Sequence, residues 1–325
     1  MSLLEVKGLR VEYVTDDGVV HAVNGVDLKL DAGQTLGLVG ETGAGKTTTA
    51  KSIIGLIPSP PGKIVSGEVV FEGTDLLKAP EKYMRKIRGG KISMIFQDPM
   101  TSLNPLERVG DQIAETIREH SALSKGEAYA EALKSLEKVG IPAARASEYP
   151  HQFSGGMKQR VVIAIALACN PELLLADEPT TALDVTIQAQ VLKLMRELKK
   201  ELNTAMILIT HDLGVVSEMC DSVAIVYAGR IVEQGTWRDI YSKPTHPYTV
   251  GLFNSIPTLD KEVKRLNPIE GLMPDPADLP SGCPFHPRCN HCMDKCSQIE
   301  PELVEISEGH FVRCLLCSEE GSNNG

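Results

Sequence analysis

The sequence has few aromatic residues, no excess of positive charge and no long apolar run. Aromatic side chains make up 4% of the 325 residues, and the formal net charge at pH 7 is −10. Because nucleic acids are held by excess Lys and Arg and by aromatic stacking, these values argue against a nucleic-acid-binding protein. No segment approaches the roughly 20 consecutive apolar residues that a membrane-spanning helix needs.

The first residues, "MSLLEVKGLRVEY", also lack an uninterrupted apolar stretch, because Glu5, Lys7 and Arg10 interrupt it. We therefore expect neither a secretory signal nor a membrane anchor. Hydrophobic residues make up 42% of the chain, enough for one large core and a smaller attached unit. A chain of this kind is expected to fold in the cytosol, where clustered cysteines bind metal more often than they form disulfides.

Short apolar runs alternate with longer helical patterns, which predicts an α/β fold with a mostly parallel sheet covered by helices. The predicted strands are residues 35–40, 92–96, 171–177, 205–210 and 222–229. Residues 187–202 repeat apolar side chains at helical spacing, which predicts a helix lying on this sheet. From Leu106 to about Asn170 the pattern predicts successive helices with no strand, and after about Ser255 the chain is Pro-rich and irregular.

The segment "GLVGETGAGKTTT" contains the G-x-x-x-x-G-K-[ST] pattern between a predicted strand and a predicted helix. Glycines let the backbone curl around a phosphate and point its N–H groups inward. Lys46 supplies a positive charge to the β- and γ-phosphates, Thr47 offers a hydroxyl to Mg²⁺, and the helix N-terminus adds a partial positive charge. The loop residues expected to contact the nucleotide are Gly40, Glu41, Thr42, Gly43, Ala44, Gly45, Lys46, Thr47 and Thr48.

Two acidic residues end the predicted strand in "LLLADEPTTALD". Asp177 emerges at the carboxyl edge of the sheet, where ligands bind in open α/β folds, and is expected to hold the Mg²⁺ shell. Glu178 points differently and can polarise the attacking water. An ordinary acidic strand-to-turn transition is the alternative, and the phosphate loop favours the functional interpretation.

The stretch "HQFSGGMKQRVVIAIALACNPELLLADEPTTALD" strongly resembles the nucleotide-binding subunits of ABC transporters. The resemblance covers about the first 250 residues, with every element of the family's nucleotide site in the family's order. The positions that match the family's further motifs are Ser154, Gly155 and Gly156 in the signature, Gln97 in "FQDPMTSLNP", Asp184 in "TALD" and His211 in "ITHD".

This resemblance implies an ATPase cassette with an all-helical signature subdomain at about residues 100–170. It implies that Gln97 approaches Mg²⁺ and the γ-phosphate, that His211 contacts the γ-phosphate and the catalytic water, and that Tyr13 stacks on adenine. Taken alone, these three residues would be an ordinary loop glutamine, a structural histidine and a packed strand tyrosine. The resemblance therefore implies Glu178, His211 and Gln97 as catalytic residues and Thr47, Gln97 and Asp177 as Mg²⁺ ligands.

The resemblance also implies that one copy is an incomplete enzyme, because in this family Ser154 and Gly156 contact ATP bound to the opposite subunit. Two cassettes would close head to tail over two ATP molecules, and hydrolysis would let them open.

Within this family, "THPYTVGLFNSIP" resembles the ATPase subunits of bacterial dipeptide and oligopeptide importers. The resemblance implies a second ATPase subunit, expected to be a different chain although an identical one is possible. It also implies two membrane permease subunits, an external peptide-binding protein and a peripheral location on the cytoplasmic side of the inner membrane. The alternatives are an importer of nickel or another solute, a soluble ABC ATPase without a permease, and a regulator that uses its cysteines as a redox sensor.

A cysteine-rich segment, "CPFHPRCNHCMDKC", lies near the C-terminus. Spacing alone pairs Cys289 with Cys292 and Cys314 with Cys317, which is typical of a structural zinc site. The resemblance instead selects Cys283, Cys289, Cys296 and Cys314, which implies a [4Fe-4S] cluster. We expect the cluster, with zinc and free thiols as alternatives. The expected domains are a nucleotide-binding domain at residues 1–256 and a small cysteine-rich C-terminal extension at residues 257–325.

Overall fold

A computed structural model describes residues 2–181, 183–255 and 269–320. The strands are β1 (Ser2–Thr15), β2 (Gly18–Asp31), β3 (Thr35–Val39), β4 (Gly62–Phe71), β5 (Thr74–Asp75), β6 (Ile92–Ile95), β7 (Leu173–Asp177), β8 (Ala205–Thr210), β9 (Ser222–Tyr227), β10 (Arg230–Thr236), β11 (Val304–Ser307) and β12 (His310–Val312). The α-helices are α1 (Lys46–Ile53), α2 (Glu81–Ile87), α3 (Pro99–Ser102), α4 (Val109–His120), α5 (Lys125–Lys138), α6 (Gly155–Leu167), α7 (Val185–Leu202), α8 (Leu213–Met219), α9 (Trp237–Ser242), α10 (Pro247–Asn254) and α11 (Leu315–Glu320). Within these ranges, none of the helices combines the length and the apolar character that crossing a membrane requires.

The chain divides into two compact units. The first unit contains residues 1–4, 30–35 and 71–209, and the second contains residues 5–29, 36–70 and 210–325.

The first unit contains a parallel sheet in which β6 pairs with β7 and β7 pairs with β8. Every residue of β7 and β8 is buried, which explains why both strands are almost continuously apolar in the sequence. Between β6 and β7 the chain forms α3 to α6 and two short 3-10 turns, with no strand among these described residues. The predicted helical stretch is therefore present, and so are the strands predicted at residues 92–96, 171–177 and 205–210.

Helix boundaries in the first unit follow local capping. Ser124 and Glu127 form a capping box at the start of α5. Asp184 caps α7 by accepting a hydrogen bond from the Ile187 N–H, and Asn203 ends this helix in the left-handed conformation. The buried side chains of α7 are Val191, Leu192, Met195 and Leu198, so its apolar face packs inward as the helical spacing predicts.

The second unit contains β3 and β9 as a parallel pair, with Leu36 opposite Ser222. Beyond β9 the strands are antiparallel, because β10 pairs with β9 and β12, and β11 pairs with β12. The strands β2, β1 and β4 form a second sheet in that order. The predicted mostly parallel sheet is thus correct for the strands found in the sequence, whereas the antiparallel strands β10 to β12 were not predicted.

The C-terminal strands correct the prediction of a separate cysteine-rich extension. Glu233 of β10 pairs with Val312 of β12, so the C-terminal residues continue the sheet that contains β3. The described residues from Thr210 onward belong to the same unit as the phosphate loop, and a separate small extension is not supported. The boundary at residue 256 stays a prediction, because residues 256–268 lie outside the described part of the chain.

Candidate nucleotide site

The predicted site residues fall into two groups, one in each unit. The second unit holds Tyr13, the loop from Gly40 to Thr48, and His211, whereas the first unit holds Gln97, Ser154, Gly155, Gly156, Asp177, Glu178 and Asp184.

The phosphate loop joins β3 to α1 and has almost no room for side chains at two of its glycines. A Cβ on Gly40 would lie 2.1 Å from the carbonyl oxygen of Val226, and a Cβ on Gly45 would lie 2.3 Å from that of Ala22. Gly45 also has a φ of 97°, in the region that only glycine adopts without strain. The loop conformation therefore depends on the glycines that the sequence pattern identified.

Lys46 lies at the centre of this loop. Its Nζ donates hydrogen bonds to the carbonyl oxygens of Gly40 at 2.7 Å and Glu41 at 2.9 Å, and the residue is 6% exposed. Gly45 is the N-cap of α1, and no side chain caps this helix, so a bound anion can accept from its first N–H groups. An ammonium group, glycine-limited backbone and an uncapped helix start fit the triphosphate of ATP.

Tyr13 and His211 are the remaining predicted residues of this group. The Tyr13 hydroxyl lies 3.5 Å from Thr48 Oγ1, which places the half-buried ring beside the first turn of α1. His211 is exposed between β8 and α8, next to Asp212, whose carboxylate caps α8 by accepting from the N–H groups of Gly214 and Val215. Adenine stacking by Tyr13 and γ-phosphate contact by His211 stay predictions.

The acidic group of the first unit forms where β7 ends. Asp177 is its last residue and is 2% exposed. Glu178 follows in the left-handed conformation with a φ of 46°, which costs about 1 kcal/mol in a residue with a Cβ. Its carboxylate accepts hydrogen bonds from Gln97 Nε2 at 3.0 Å and from Thr181 Oγ1 at 2.9 Å. The structure therefore brings together two residues, Gln97 and Glu178, that lie 81 positions apart.

Ser154 and Asp184 begin two neighbouring helices of the first unit. Both side chains are exposed and act as N-caps, with Ser154 Oγ accepting from the Met157 N–H at 3.4 Å and Asp184 Oδ1 accepting from the Ile187 N–H at 3.0 Å. A Cβ on Gly156 would lie 2.5 Å from Ile187 Cγ2, so a glycine permits the close approach of α6 and α7. Gly155 is exposed beside it, and Ala182 of "TALD" lies outside the described residues.

The partners of Glu41 were not predicted from the sequence. The Arg288 guanidinium forms a bidentate ion pair with this carboxylate, at 2.7 and 3.1 Å, and this hydrogen bonding raises the pKa of Arg288 above its ordinary value. The Glu41 N–H donates to the Tyr248 hydroxyl at 3.0 Å. An acidic residue in a loop that binds an anion was the available signal, because such a charge requires a neutralising partner.

A buried hydrogen-bond network around Glu233 was also missed. This fully buried carboxylate accepts from the N–H groups of Thr245 and His246 at 2.8 and 2.9 Å, and His310 Nε2 lies 2.8 Å away. His246 Nδ1 accepts from the Tyr248 N–H at 3.0 Å, which caps α10. Complete burial lowers the pKa of His246 to about 3, so the ring is neutral at physiological pH and can accept this bond.

The four cysteines expected to bind a cluster line one small apolar cavity, together with His246, Pro247, Phe285, His286, His291, Leu315 and Leu316. Burial raises the pKa of Cys283 to about 11 and also raises that of Cys289, whereas a hydrogen bond with Cys317 lowers the pKa of Cys314 to about 7. The thiols of Cys283 and Cys289, whose pKa values are raised, therefore stay protonated at neutral pH and pack as small apolar side chains.

The prediction of a [4Fe-4S] cluster at Cys283, Cys289, Cys296 and Cys314 is wrong. Across residues 2–181, 183–255 and 269–320, no group of three or more His, Cys, Asp or Glu side chains is arranged to hold a metal ion. The same finding does not support the zinc alternative within these ranges. The family resemblance, and not spacing, selected these four cysteines, and their presence in one segment was interpreted as ligation.

Comparisons with known proteins identify the type of site. The family model "ABC transporter" matches residues 23–181, and the model "Oligopeptide/dipeptide transporter, C-terminal region" matches residues 232–296. The oligopeptide transport ATP-binding protein AppD of Bacillus subtilis is 51% identical over 99% of this chain and 98% of its own length. The dipeptide transport ATP-binding protein DppD of the same organism is 50% identical over 97% of this chain and 94% of its own. The names of both relatives state ATP binding and transport of peptides.

A solved structure gives the same result for the fold. The ATP-binding cassette MJ0796, in a dimeric post-hydrolysis state with ADP and phosphate, is 28% identical and covers 72% of this chain and 99% of its own, with a TM-score of 0.65.

Proposed function

This chain belongs to the ABC transporter family, in the group of oligopeptide and dipeptide transport ATP-binding proteins, and we propose that it hydrolyses ATP to power peptide import. The observation that carries the proposal is the 51% identity to an oligopeptide transport ATP-binding protein over 99% of the chain. This match spans the glycine-dependent phosphate loop as well as the C-terminal region.

Different residues of this chain are assigned different roles in ATP hydrolysis. Lys46 and the N–H groups at the start of α1 are proposed to bind the triphosphate, and Thr47, Gln97 and Asp177 are the residues that would hold Mg²⁺. When bound, Mg²⁺ neutralises charge on the phosphate oxygens. Glu178 accepts a proton from the attacking water, and its contacts with Gln97 and Thr181 hold the carboxylate in position.

Two cassettes are proposed to complete the enzyme. Ser154 is exposed at the start of α6, where its hydroxyl and the helix dipole can contact the γ-phosphate held by a second cassette. The dimeric state of the similar cassette bound to ADP and phosphate supports this arrangement. Loss of the γ-phosphate removes the contact that favours the closed dimer, and the dimer opens.

The second cassette is proposed to be a different ATPase subunit, with both seated on two membrane permeases at the cytoplasmic side of the inner membrane. An external peptide-binding protein would deliver the solute. The family of transport proteins to which the relatives belong supports the permease partnership.

The Glu178→Gln variant tests the catalytic assignment. We expect it to bind MgATP and to accumulate as a closed dimer, while phosphate release falls about 100-fold or more because the proton acceptor is lost. Glu197→Gln, which changes an exposed carboxylate on α7, is the control and should hydrolyse ATP like the wild type. Equal phosphate release by the Glu178 variant and the wild type would show that Glu178 is not the proton acceptor.

The solute is tested on the transporter assembled with its permeases in proteoliposomes. Stimulation of ATP hydrolysis by di- and oligopeptides supports the proposal. Stimulation by nickel salts but not by peptides would identify nickel, and not a peptide, as the solute. Failure to co-purify with any permease from membranes would favour a soluble ATPase.

A further inference from the structure

Arg288 reaches the phosphate loop from the C-terminal region, 247 positions away from Glu41. Its guanidinium is almost buried, with the side chain 5% exposed, whereas the Glu41 side chain is 31% exposed. A planar guanidinium that meets a carboxylate with two parallel hydrogen bonds fixes both its position and its orientation.

All five N–H groups of Arg288 have acceptors. Two donate to the Glu41 carboxylate, and Nε donates to the Glu270 carbonyl oxygen at 3.0 Å. The remaining two donate to the Tyr227 hydroxyl at 3.4 Å and the Ile269 carbonyl oxygen at 3.5 Å. The side chain is therefore committed to one geometry, with Glu41 as its only charged partner among these contacts.

Glu41 is held on its backbone as well. Its N–H donates to the hydroxyl of Tyr248, which packs against Tyr227 with ring centroids 4.6 Å apart. Its carbonyl oxygen accepts from Lys46 Nζ and from the Ala44 N–H. Because the same residue binds Arg288 through its side chain and Lys46 through its backbone, displacement of Glu41 would also displace the ammonium group expected to bind phosphate.

The ion pair between Arg288 and Glu41 also changes the charge of the phosphate loop. A carboxylate in a loop that binds a triphosphate repels the ligand, and a partly buried carboxylate is screened weakly by solvent. The bidentate guanidinium neutralises this carboxylate from the side of the C-terminal region.

We propose that Arg288 is a positioning residue for ATP, which acts through Glu41 by neutralising its carboxylate and holding the phosphate loop in its binding conformation. The inference rests on the proposed function, because it concerns the same ATP site. It assigns part of that site to the C-terminal region, which the sequence motifs of the cassette do not include.

The test compares the full chain with Arg288→Met, which keeps the apolar stem and removes the cation. We expect the KM for ATP to rise about tenfold, because an unpaired carboxylate then faces the triphosphate, while kcat at saturating ATP stays within about twofold. Arg313→Met is the matched control, since Arg313 also bonds backbone carbonyls in this region, those of Ile231 and Pro301, and its KM should not change.

A double variant separates charge from loss of structure. Arg288→Met combined with Glu41→Gln removes both charges, and we expect the KM to return to within about threefold of the wild type. A KM of Arg288→Met equal to that of the wild type, or a double variant no better than the single one, would overturn the inference. Failure of the wild type to bind ATP would instead overturn the proposed function, so the two failures are distinguishable.

Discussion

Two glycines of the phosphate loop allow a direct test of how the loop is held. Gly43 and Gly45 both have a positive φ, of 85° and 97°. They differ in the space around them, because nothing lies within 4 Å of a Cβ on Gly43, whereas a Cβ on Gly45 would lie 2.3 Å from the Ala22 carbonyl oxygen. Gly43→Ala therefore introduces backbone strain alone, and Gly45→Ala introduces the same strain together with a steric clash.

The clash at Gly45 costs free energy because the Cβ would be fixed to the loop backbone and the Ala22 oxygen is itself a backbone atom, so no side-chain rotation relieves it. Ala22 lies in β2, and the neighbouring Gly229 N–H donates to the Ala44 carbonyl oxygen at 2.9 Å. Left-handed strain costs about 1 kcal/mol in both variants. Displacing Gly45 would add about 1 kcal/mol for the lost hydrogen bond and about 1–3 kcal/mol for overpacking. We expect free energies of unfolding lower by about 1 kcal/mol for Gly43→Ala and about 3–5 kcal/mol for Gly45→Ala.

Thermal unfolding without nucleotide measures the difference. At about 2 °C per kcal/mol for a cooperative unit of this size, Gly43→Ala should lower Tm by about 2 °C and Gly45→Ala by about 6–10 °C. Omitting nucleotide prevents altered ATP affinity from contributing to Tm. Equal Tm values for the two variants would refute the reasoning, since they would show that the loop moves away from Ala22 at no cost.

Two further predictions concern residues outside the loop. The pKa of His246 is about 3 in the folded chain, against its usual 6.5. As pH is lowered, the unfolded chain therefore takes up a proton before the folded chain does. The free energy of unfolding should fall between about pH 6.5 and pH 3, with a slope of up to about 1.4 kcal/mol per pH unit. His246→Asn, which can still cap α10, should flatten the dependence of Tm on pH between 7 and 5; an unchanged slope would show that another group causes it. Gly156→Ala should lower Tm by about 2–4 °C because its Cβ would meet Ile187 Cγ2 at 2.5 Å. The double variant Gly156→Ala with Ile187→Ala, which lacks that methyl group, should recover part of the loss in Tm. No recovery in the double variant would contradict the proposed clash.

Strands and helices of the cassette were predictable because their signals are local. The buried parallel strands β7 and β8 are continuous apolar runs, and α7 repeats its buried side chains at helical spacing. The phosphate loop was recognisable because its glycines and its lysine lie close together in one short stretch of the sequence. The strands β11 and β12 were not predicted, since most residues of β11 are exposed and, among the described strands, β11 pairs with β12 alone.

The cysteine-rich segment shows the limit of a cysteine pattern as evidence. Four cysteines selected by the family pattern do line one cavity, yet the described residues form no metal site. Sequence separation shows which thiols a short segment can bring near each other. Their ionisation depends on burial, which raises the pKa of Cys283 to about 11, and on hydrogen bonding, which lowers that of Cys314 to about 7.

The sequence alone determined the cassette, the phosphate loop and the acidic end of β7, because each depends on residues that are neighbours along the chain. Only the tertiary structure decided that Arg288 neutralises Glu41 and that Glu233 joins His246 and His310. His310 lies 77 positions from Glu233, and Arg288 lies 247 positions from Glu41. Whether such distant residues meet depends on the path of the backbone between them, and no local pattern of side chains specifies that path.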